Sequence, residues 1–325
     1  MNNIQGQVWW RAPGEQKVWK LKQVQEGSTT FRFAPFKTDR FHEVIELTGV
    51  RETSDFPHPG SVRNLKMGVE VKSSRSQHEQ IIGHALKAID EGQLEKVVLS
   101  QTEFWHTDAS AEELFKIKCE VFPNAFVYLI DHPKSGVWLG ATPELLIQSS
   151  GGGQFRTVAL AGTKMDLDEA WTAKEMKEQV LVTQFIEGLL NKEAVKNVIV
   201  GNVHDLDYGQ IKHLKTEIAF ESNRTIEEWL PLLHPTPAVG GYPRNEALEF
   251  IEEHEVTPRG YYTGYLGLIE SDGLAEFYVN LRCMKCHSNG HRLFAGGGVV
   301  EGSTPIGEWE EIQSKIDSIR MELAS

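Results

Sequence analysis

Short alternations of apolar and polar residues fill the first part of the chain, in VWWRA, VWKLKQV, TTFRFAPF and FHEVIEL. This two-residue period predicts strands, and the Pro and Gly residues of DFPHPGS predict a turn or crossover after them. Further strands are predicted in KVVLSQTEFW, AFVYLIDH, GVWLGATPELLIQ and FRTVALAG, which are rich in β-branched and aromatic residues. The segment SSGGGQ between the last two is predicted to be a hairpin turn.

Apolar residues at helical spacing predict four helices among these strands. In SQHEQIIGHALKAIDEGQLE, Ile81, Ile82, Ala85 and Ile89 share one face, and SAEELFKIKCEVF starts with a capping serine. Two longer helices are predicted in WTAKEMKEQVLVTQFIEGLLNKEAV and GEWEEIQSKIDSIRMEL. Strand runs with helices between them, without a clear linker, indicate one compact α+β unit with large, mostly antiparallel sheets.

The composition narrows the class of function. The chain of 325 residues has 40% hydrophobic and 24% charged residues, which is ordinary for a globular protein. Its formal net charge of −13 argues against a nucleic-acid partner, and no apolar run approaches the roughly 20 residues that span a bilayer. The opening segment MNNIQGQVWWRAPGEQ lacks the features of a signal peptide, and three cysteines do not make a disulfide framework. We therefore expect a cytoplasmic protein without a membrane partner, and a monomer.

Cys283, Cys286 and His287 match the pattern of covalent haem attachment. The surrounding segment EFYVNLRCMKCHSNGHRLFAG is predicted to form two strands joined by a turn at 288–290. Residues three apart on a strand point to opposite faces, so the two thiols would not share a metal or a porphyrin. We expect neither haem nor zinc at this motif.

The long middle helix carries a carboxylate in line with its apolar face. Glu178 shares that face with Leu181, Val182, Phe185 and Leu189. Burying a carboxylate there is costly unless a positive charge meets it. Near the first turn of the helix, the same side chain is also able to reach water.

The final helix has a similar arrangement. Its predicted apolar face consists of Trp309, Ile312, Ile316, Ile319 and Leu323. Glu308, Glu311 and Lys315 line the edge of that face, and the last two are four residues apart, as in a surface ion pair. The alternative is that Glu311 and Glu178 share a hard cation, since Mg²⁺ suits one or two protein carboxylates together with waters and an anionic substrate. The helices alone allow both interpretations.

Ordered motifs run from about Ser76 to the C-terminus: LEKVVLSQ, GATPELLI, ALAGTK, MKEQVLVTQ, KHLKTEI, LHPTPAVGGYP, RGYYTGYLG, VNLRC, FAGGGVV and STPIGEWEEIQSK. Together they resemble the chorismate-utilising enzymes, which include isochorismate, salicylate, anthranilate and aminodeoxychorismate synthases. The resemblance implies an α+β fold in which two large, mostly antiparallel sheets pack face to face with helices outside. It also implies that residues 1–72 are a strand-rich part of this fold and that 73–325 form the chorismate-binding catalytic domain.

The resemblance implies a Mg²⁺ site. Glu178 and Glu311 match the family's metal-ligand positions. The ion would hold the ring carboxylate of chorismate and screen it from the two glutamates. Glu308 and Glu310 are expected to be solvated or to lie behind the ligands.

The resemblance also implies an acid and a base. Lys96, in LEKVVLSQ, matches the family's general base, and Glu144, in GATPELLI, matches the general acid. A base must be uncharged and an acid must hold its proton, so both require a dry pocket. The strand segment alone equally allows Lys96 to end a strand in solvent.

Further positions match the family's substrate-binding residues: Gly162, Thr163, His213, Ala238, Tyr262, Arg282, Gly296 and Lys315. The two cationic residues among them would bind substrate carboxylates, and the arginine offers two parallel hydrogen bonds. The turn at 162–163 and the segment 296–298 are expected to present backbone N–H groups, because glycine allows close approach. The histidine and the tyrosine would line the pocket, although each is also explained as a core residue with a satisfied polar tip.

Differences within the family favour water as the nucleophile. Ammonia-using relatives carry glutamine where this chain has Lys96, and aminodeoxychorismate synthases often place a lysine in the motif in which Ala161 stands here. Ala238 occupies a position where lyase-type relatives usually carry threonine. The resemblance therefore implies isochorismate synthase, an isomerase whose product would feed menaquinone or a catechol siderophore. Salicylate synthase, which goes on to eliminate pyruvate, is the alternative.

Overall fold

A computed structural model describes residues 6–63, 65–69, 74–164, 170–208 and 211–324. The six helices of this part are α1 Arg75–Asp90, α2 Ala111–Val121, α3 Ala173–Lys192, α4 Ile226–Leu233, α5 Arg244–His254 and α6 Pro305–Ala324. Its strands are β1 Gln7–Arg11, β2 Val18–Gln23, β3 Thr29–Ala34, β4 Ile45–Ser54, β5 Lys96–Trp105, β6 Phe126–His132, β7 Gly136–Thr142, β8 Leu145–Ser150, β9 Gln154–Lys164, β10 Lys196–Val200, β11 His204–Tyr208, β12 Ile211–Glu221, β13 Gly241–Tyr242, β14 Tyr265–Glu270, β15 Leu274–Val279, β16 Cys283–His287 and β17 Gly290–Val300.

The strands form one continuous antiparallel network within the described residues. Following the pairings, their order is β13-β5-β17-β16-β7-β6-β1-β2-β4-β3-β14-β15-β8-β9-β12, with β10 and β11 paired to β12. The N-terminal strands β1 to β4 link the two halves of this order. The predicted boundary between residues 72 and 73 lies outside the described part of the chain.

The two halves of the network pack against each other, as expected for sheets arranged face to face. Phe33 of β3 lies 6.1 Å from Trp138 of β7 and 5.9 Å from Tyr128 of β6, measured between ring centroids. Phe126 of β6 stacks on Tyr278 of β15 at 4.7 Å. β3 pairs with β14, next to β15, whereas β6 and β7 pair in the other half, so the aromatic rings fill the layer between the two halves. The predicted α+β class with mostly antiparallel strands is confirmed.

The helices cover the outer faces of the network. Helices α2 and α6 pack on the half that contains β6, β7, β16 and β17, and α3 and α4 pack on the half that contains β8, β9, β12 and β15. Helices α1 and α5 cover β5. This arrangement places the starts of α3 and α6 near the ends of β5, β9 and β17, where the site described below is found.

The four predicted helices are confirmed, with shifted ends. α1 begins one residue before the predicted Ser76 and stops at Asp90, because Gly92 takes a left-handed conformation with φ of 72°. Ile81 and Ile89 are only half-buried, and His78 and Ala88 share the buried face with the predicted Ile82 and Ala85. On α6 three of the predicted isoleucines are buried and Trp309 is half-buried, whereas the side chain of Leu323 lies outside the described part.

Two helices and one strand break were missed. The short helices α4 and α5 were not predicted from the sequence. The segment predicted as a single strand in GVWLGATPELLIQ divides into β7 and β8 at Pro143, which has no N–H to donate to a ladder. Glu144 therefore lies between the two strands and not within either of them.

The haem-like motif lies on a strand, as predicted. Cys283 packs in the layer between the two halves, with Tyr128 and Trp138, whereas Cys286 packs under α2 with Phe115. The two thiols therefore face opposite sides of β16. Among the described helices, none combines the length and the apolar character needed to cross a bilayer.

We expect Ile316→Ala to lower the free energy of unfolding by about 2–5 kcal/mol, because the side chain is buried under α6 and its removal leaves a cavity. Ile306→Ala makes the same change on the same helix at a side chain that is 55% exposed, so its effect should stay within about 0.5 kcal/mol. Denaturant unfolding of the two variants measures both. Equal losses would contradict the placement of α6 on the sheet.

Candidate active site

One cavity collects every residue for which the sequence predicted a role. It is lined by Lys96, Glu144, Gly162, Thr163, Glu178, His213, Ala238, Tyr262, Arg282, Gly296, Glu311 and Lys315. Apolar side chains complete the wall, among them Val98, Leu160, Phe294 and Ile319. The predicted residues come from positions up to 219 apart in the chain, so only the fold brings them together. Their roles stay predictions, but their common location is a property of the structure.

Lys96 and Glu178 form a buried ion pair. Lys96 is the first residue of β5 and is only 1% exposed, which argues against a strand end in solvent. Its Nζ lies 3.1 Å from Oε2 of Glu178 on α3. Glu178 is itself buried, so the cationic partner that the apolar face of α3 requires is present.

Gly298 of β17 allows this ion pair to form against the sheet. A Cβ atom at position 298 would lie 2.6 Å from Oε2 of Glu178 and 2.9 Å from Cε of Lys96. Both distances are shorter than real side chains tolerate, so any other residue would push the pair apart. The glycine run of FAGGGVV thus serves close packing beneath α3 and α6.

Glu144 lies in the break between β7 and β8 and is 4% exposed. Burial raises the pKa of its carboxyl group to about 8, although the positive charge of Lys96 partly lowers it. The carboxyl group therefore holds its proton at neutral pH. This is the state that a general acid needs.

Three ammonium groups and three carboxylates form ion pairs along the wall that α3 and α6 make with the start of β5. Besides Lys96 and Glu178, Lys315 Nζ lies 2.7 Å from Oε1 of Glu311. Lys174 Nζ lies 3.4 Å from Oε2 of Glu311 and 2.6 Å from Oε1 of Glu308. The predicted pairing of Glu311 with Lys315 is confirmed, but it faces the cavity instead of open solvent.

The ion pairs shift the two carboxyl groups of α6 in opposite directions. Burial alone would raise the pKa of Glu311, but the ammonium groups of Lys315 and Lys174 lower it to about 2. Burial and the negative charge of Glu311 raise the pKa of Glu308. Glu308 is 2% exposed and is therefore not solvated, whereas Glu310 is exposed. Oε2 of Glu308 has no well-aligned hydrogen bond among the described residues.

Gly162 and His213 are joined at a bulge. In the pairing of β9 with β12, His213 faces Thr163 and the next residue faces Ala161, so Gly162 is the extra residue, with φ of 68°. The predicted turn at 162–163 is thus a bulge within a strand. Nδ1 of His213 donates to the carbonyl of Gly162 at 2.9 Å, which leaves Nε2 as an acceptor. Burial and the charge of Arg282 lower the pKa of His213 to about 3, so the ring is neutral.

Tyr262, Arg282 and Gly296 line the same cavity. Tyr262 is buried and stacks on Phe294 with centroids 5.4 Å apart. Arg282 adopts a left-handed backbone conformation with φ of 51°, and its guanidinium group lies 3.4 Å from Oγ of Ser318. The carbonyl of Gly296 accepts a hydrogen bond from Lys315 at 2.9 Å. At positions 162 and 296 it is therefore the carbonyl that contacts side chains of the site.

Two residues that contact the site, Lys174 and Arg259, were not predicted from the sequence. Lys174 precedes Glu178 by four residues and so shares its helix face, which is the one local signal that pointed to it. Arg259 is buried behind the cavity and donates to the carbonyls of Val98 and Val239 and to Oγ1 of Thr263. Nothing in the RGYYTG segment alone indicates that its arginine ties three walls of a cavity together.

The carboxylates fit a hard cation. Among the described residues, no three His, Cys, Asp or Glu side chains converge on one point. Mg²⁺ does not require such a cage, because it usually takes one or two carboxylates and fills its other positions with water and substrate. Glu178 and Glu311 face the same cavity, and Glu308 is linked to Glu311 through the ammonium group of Lys174, which contacts both carboxylates.

We expect Gly298→Ala to leave the fold intact and to lower the catalytic rate of this site by about a hundredfold, because the new methyl group would displace the Lys96–Glu178 pair. Gly83→Ala is the matched control, since a Cβ there meets nothing within 4 Å. Turnover and thermal unfolding of both variants check this. An unchanged rate in Gly298→Ala would contradict the close contact.

Comparisons with known proteins agree with the fold. The family described as chorismate binding enzyme matches residues 37–324. The isochorismate synthase EntC of Escherichia coli is 32% identical over 257 residues, which are 74% of this chain and 65% of that relative, so the chain covers just under two thirds of its length. The menaquinone-specific isochorismate synthase MenF of Escherichia coli superposes with a TM-score of 0.80 at 22% identity, over 98% of this chain and 90% of that one. Anthranilate synthase component I of Streptococcus pneumoniae gives 0.74 at 15% identity, over 98% and 93%. The family match spans most of the chain and includes every residue of the cavity, so this protein belongs to the chorismate-binding enzymes.

Proposed function

We propose that this protein is an isochorismate synthase, an isomerase that interconverts chorismate and isochorismate with Mg²⁺. The observation that carries the proposal is that a buried lysine, Lys96, and a buried, protonated carboxyl group, Glu144, face one cavity. The reaction needs a base and an acid that reach the same bound substrate. All residues used here belong to one chain, so the proposed site requires no second subunit.

The reaction adds water at C2 of the chorismate ring and expels the hydroxyl at C4 while the double bonds migrate. Lys96, acting as a neutral amine after its ammonium group has lost a proton, would take a proton from the attacking water as its oxygen bonds to C2. Glu144 would give its proton to the departing hydroxyl, which leaves as water. One water enters and one leaves, so the product is an isomer of the substrate. The reverse reaction uses the same two groups with their protons exchanged.

The cationic and polar residues of the cavity would orient the substrate. Arg282 and Lys315 would pair with its carboxylates, and the neutral His213 would accept a hydrogen bond at Nε2. Tyr262 and Phe294 present a flat apolar wall on which the ring would lie. These contacts would hold the acid and the base at a fixed distance from C4 and C2.

Glu178 and Glu311 would hold the Mg²⁺ ion, with Glu308 beside them. When bound, the ion would neutralise the ring carboxylate of chorismate, which two glutamates would otherwise repel. The two carboxylates that face the cavity support this assignment.

The proposed reaction ends with isochorismate and includes no elimination of pyruvate. Ala238 lines the cavity at the position where lyase-type relatives usually carry threonine. The curated relative EntC and the solved structure of MenF both bear the name isochorismate synthase. These observations support a synthase without lyase activity.

Purified protein with chorismate and Mg²⁺ should yield isochorismate in equilibrium with chorismate and no pyruvate, as resolved by NMR. Lys96→Met and Glu144→Gln should each reduce kcat by about 10²–10⁴-fold, the usual contribution of general acid–base catalysis. Lys177→Met and Glu301→Gln remove an exposed ion pair of the same chemistry and should leave kcat unchanged. Salicylate with stoichiometric pyruvate would identify a lyase, and unchanged chorismate would refute the enzymatic assignment.

The pH dependence should report Glu144. A general acid acts only while protonated, and the pKa of this carboxyl group is about 8, so kcat/KM should fall as the pH rises above 8. Below that pH the group is protonated and this limb of the profile is flat. The limb should disappear in Glu144→Gln, whose residual rate lacks the titrating group. A limb that persists unchanged in that variant would assign it to another residue.

A further inference from the structure

Lys174 places an ammonium group against the carboxylates that the proposed metal site uses. Its Nζ contacts Oε1 of Glu308 at 2.6 Å and Oε2 of Glu311 at 3.4 Å. It also lies one helical turn before Glu178 on α3. A lysine ammonium and a hard cation both seek carboxylate oxygens, so the two would compete for the same atoms.

The position of Lys174 on its helix is not explained by helix stability. It is the second residue of α3, inside the first turn, where the helix dipole disfavours positive charge. Lys177 follows on the same helix and pairs outward with Glu301 at 2.7 Å. The carboxylates of α6 are therefore what holds Lys174 in place.

Of the three lysines on this wall, Lys174 has a route to solvent. Its side chain is 24% exposed, compared with 1% for Lys96 and 13% for Lys315. Glu308, its nearest partner, is 2% exposed and fixed beneath α6. Rotation about the flexible lysine stem would move the ammonium group outward without moving either helix.

We propose that Lys174 is a tethered competitor for the divalent cation, which bridges Glu308 and Glu311 and withdraws towards solvent when the cation binds. The inference rests on the proposed metal site and adds a residue that sets its affinity. The exchange replaces one positive charge by two at the same carboxylates, and no bond is made or broken. Cation binding is thereby weakened by the ion pairs that it must displace.

Calorimetric titration with MgCl₂ alone, without chorismate, tests the proposal. Lys174→Met removes the competitor and should lower the Kd for Mg²⁺ by about tenfold. This is the effect of losing an ion pair whose strength lies between that of an exposed pair and that of a buried pair. Lys174→Gln is a second neutral variant in case the first fails to fold. Lys174→Arg keeps the charge and should bind Mg²⁺ within about threefold of the wild type. Lys177→Met loses the same charge from the outer face of α3 and should bind as the wild type does.

A second readout follows the lysine itself. Amine acylation of the wild type, quantified by peptide mass spectrometry, should increase several-fold at Lys174 when MgCl₂ is added, because the amine leaves its carboxylates for solvent. Lys177 is the internal reference and should not respond. A role of Lys174 that is only structural would not produce this change.

The outcomes separate this inference from the proposed function. If Lys174→Met binds Mg²⁺ no more tightly than the wild type, or if acylation of Lys174 falls with Mg²⁺, the competition is refuted while the metal site stands. If the wild type binds no Mg²⁺, both the competition and the metal assignment are refuted. Tighter binding in Lys174→Met and Lys174→Gln but not in Lys177→Met supports the competition.

Discussion

Glu178 of α3 and Glu311 of α6 face one cavity, and the rest of the site depends on the cations that meet these carboxylates. An isolated buried carboxylate takes up a proton or destabilises the fold, because burial penalises its charged form. Glu178 and Glu311 avoid this through Lys96, Lys174 and Lys315. Glu144 differs from them: burial raises the pKa of its carboxyl group to about 8, and the charge of Lys96 offsets only part of this rise. The same cavity thus contains one carboxyl group, Glu144, that is neutral beside others that are charged.

This charge arrangement requires the two helices to approach the sheet closely. The strand pair β5–β17 forms the floor, and Gly298 on it leaves room for the Lys96–Glu178 pair. The bulge at Gly162 brings β9 against the start of α3, where a Cβ would lie 3.0 Å from Cβ of Glu175. The glycines of FAGGGVV and ALAGTK therefore act as spacers. They determine how near the helices come and hence which charges meet.

Patterns of a few consecutive residues were sufficient to predict the strands and helix caps that such short stretches determine. The strand KVVLSQTEFW and the serine cap of α2 were predicted where they occur, because β-branched runs and caps act over a few residues. α4 was missed because it has eight residues and contains Pro231. The resemblance to a family named twelve residues that all line the cavity. The burial of Glu308 and its contact with Lys174, in contrast, join segments more than 130 residues apart. No pattern within either helix carries that information.

The proposed substrate and metal also fit the charges of the cavity. Chorismate carries two carboxylates, and the protein has a formal charge of −13, so attraction must be built locally. With Lys96 as the neutral amine that a base requires and Glu144 protonated, Lys315, Arg282 and Lys174 balance the three carboxylates Glu178, Glu308 and Glu311 one for one. Exchanging the single charge of Lys174 for a divalent cation would add one positive charge at these carboxylates. The competition that weakens metal binding would therefore also favour an anionic substrate once the cation is bound.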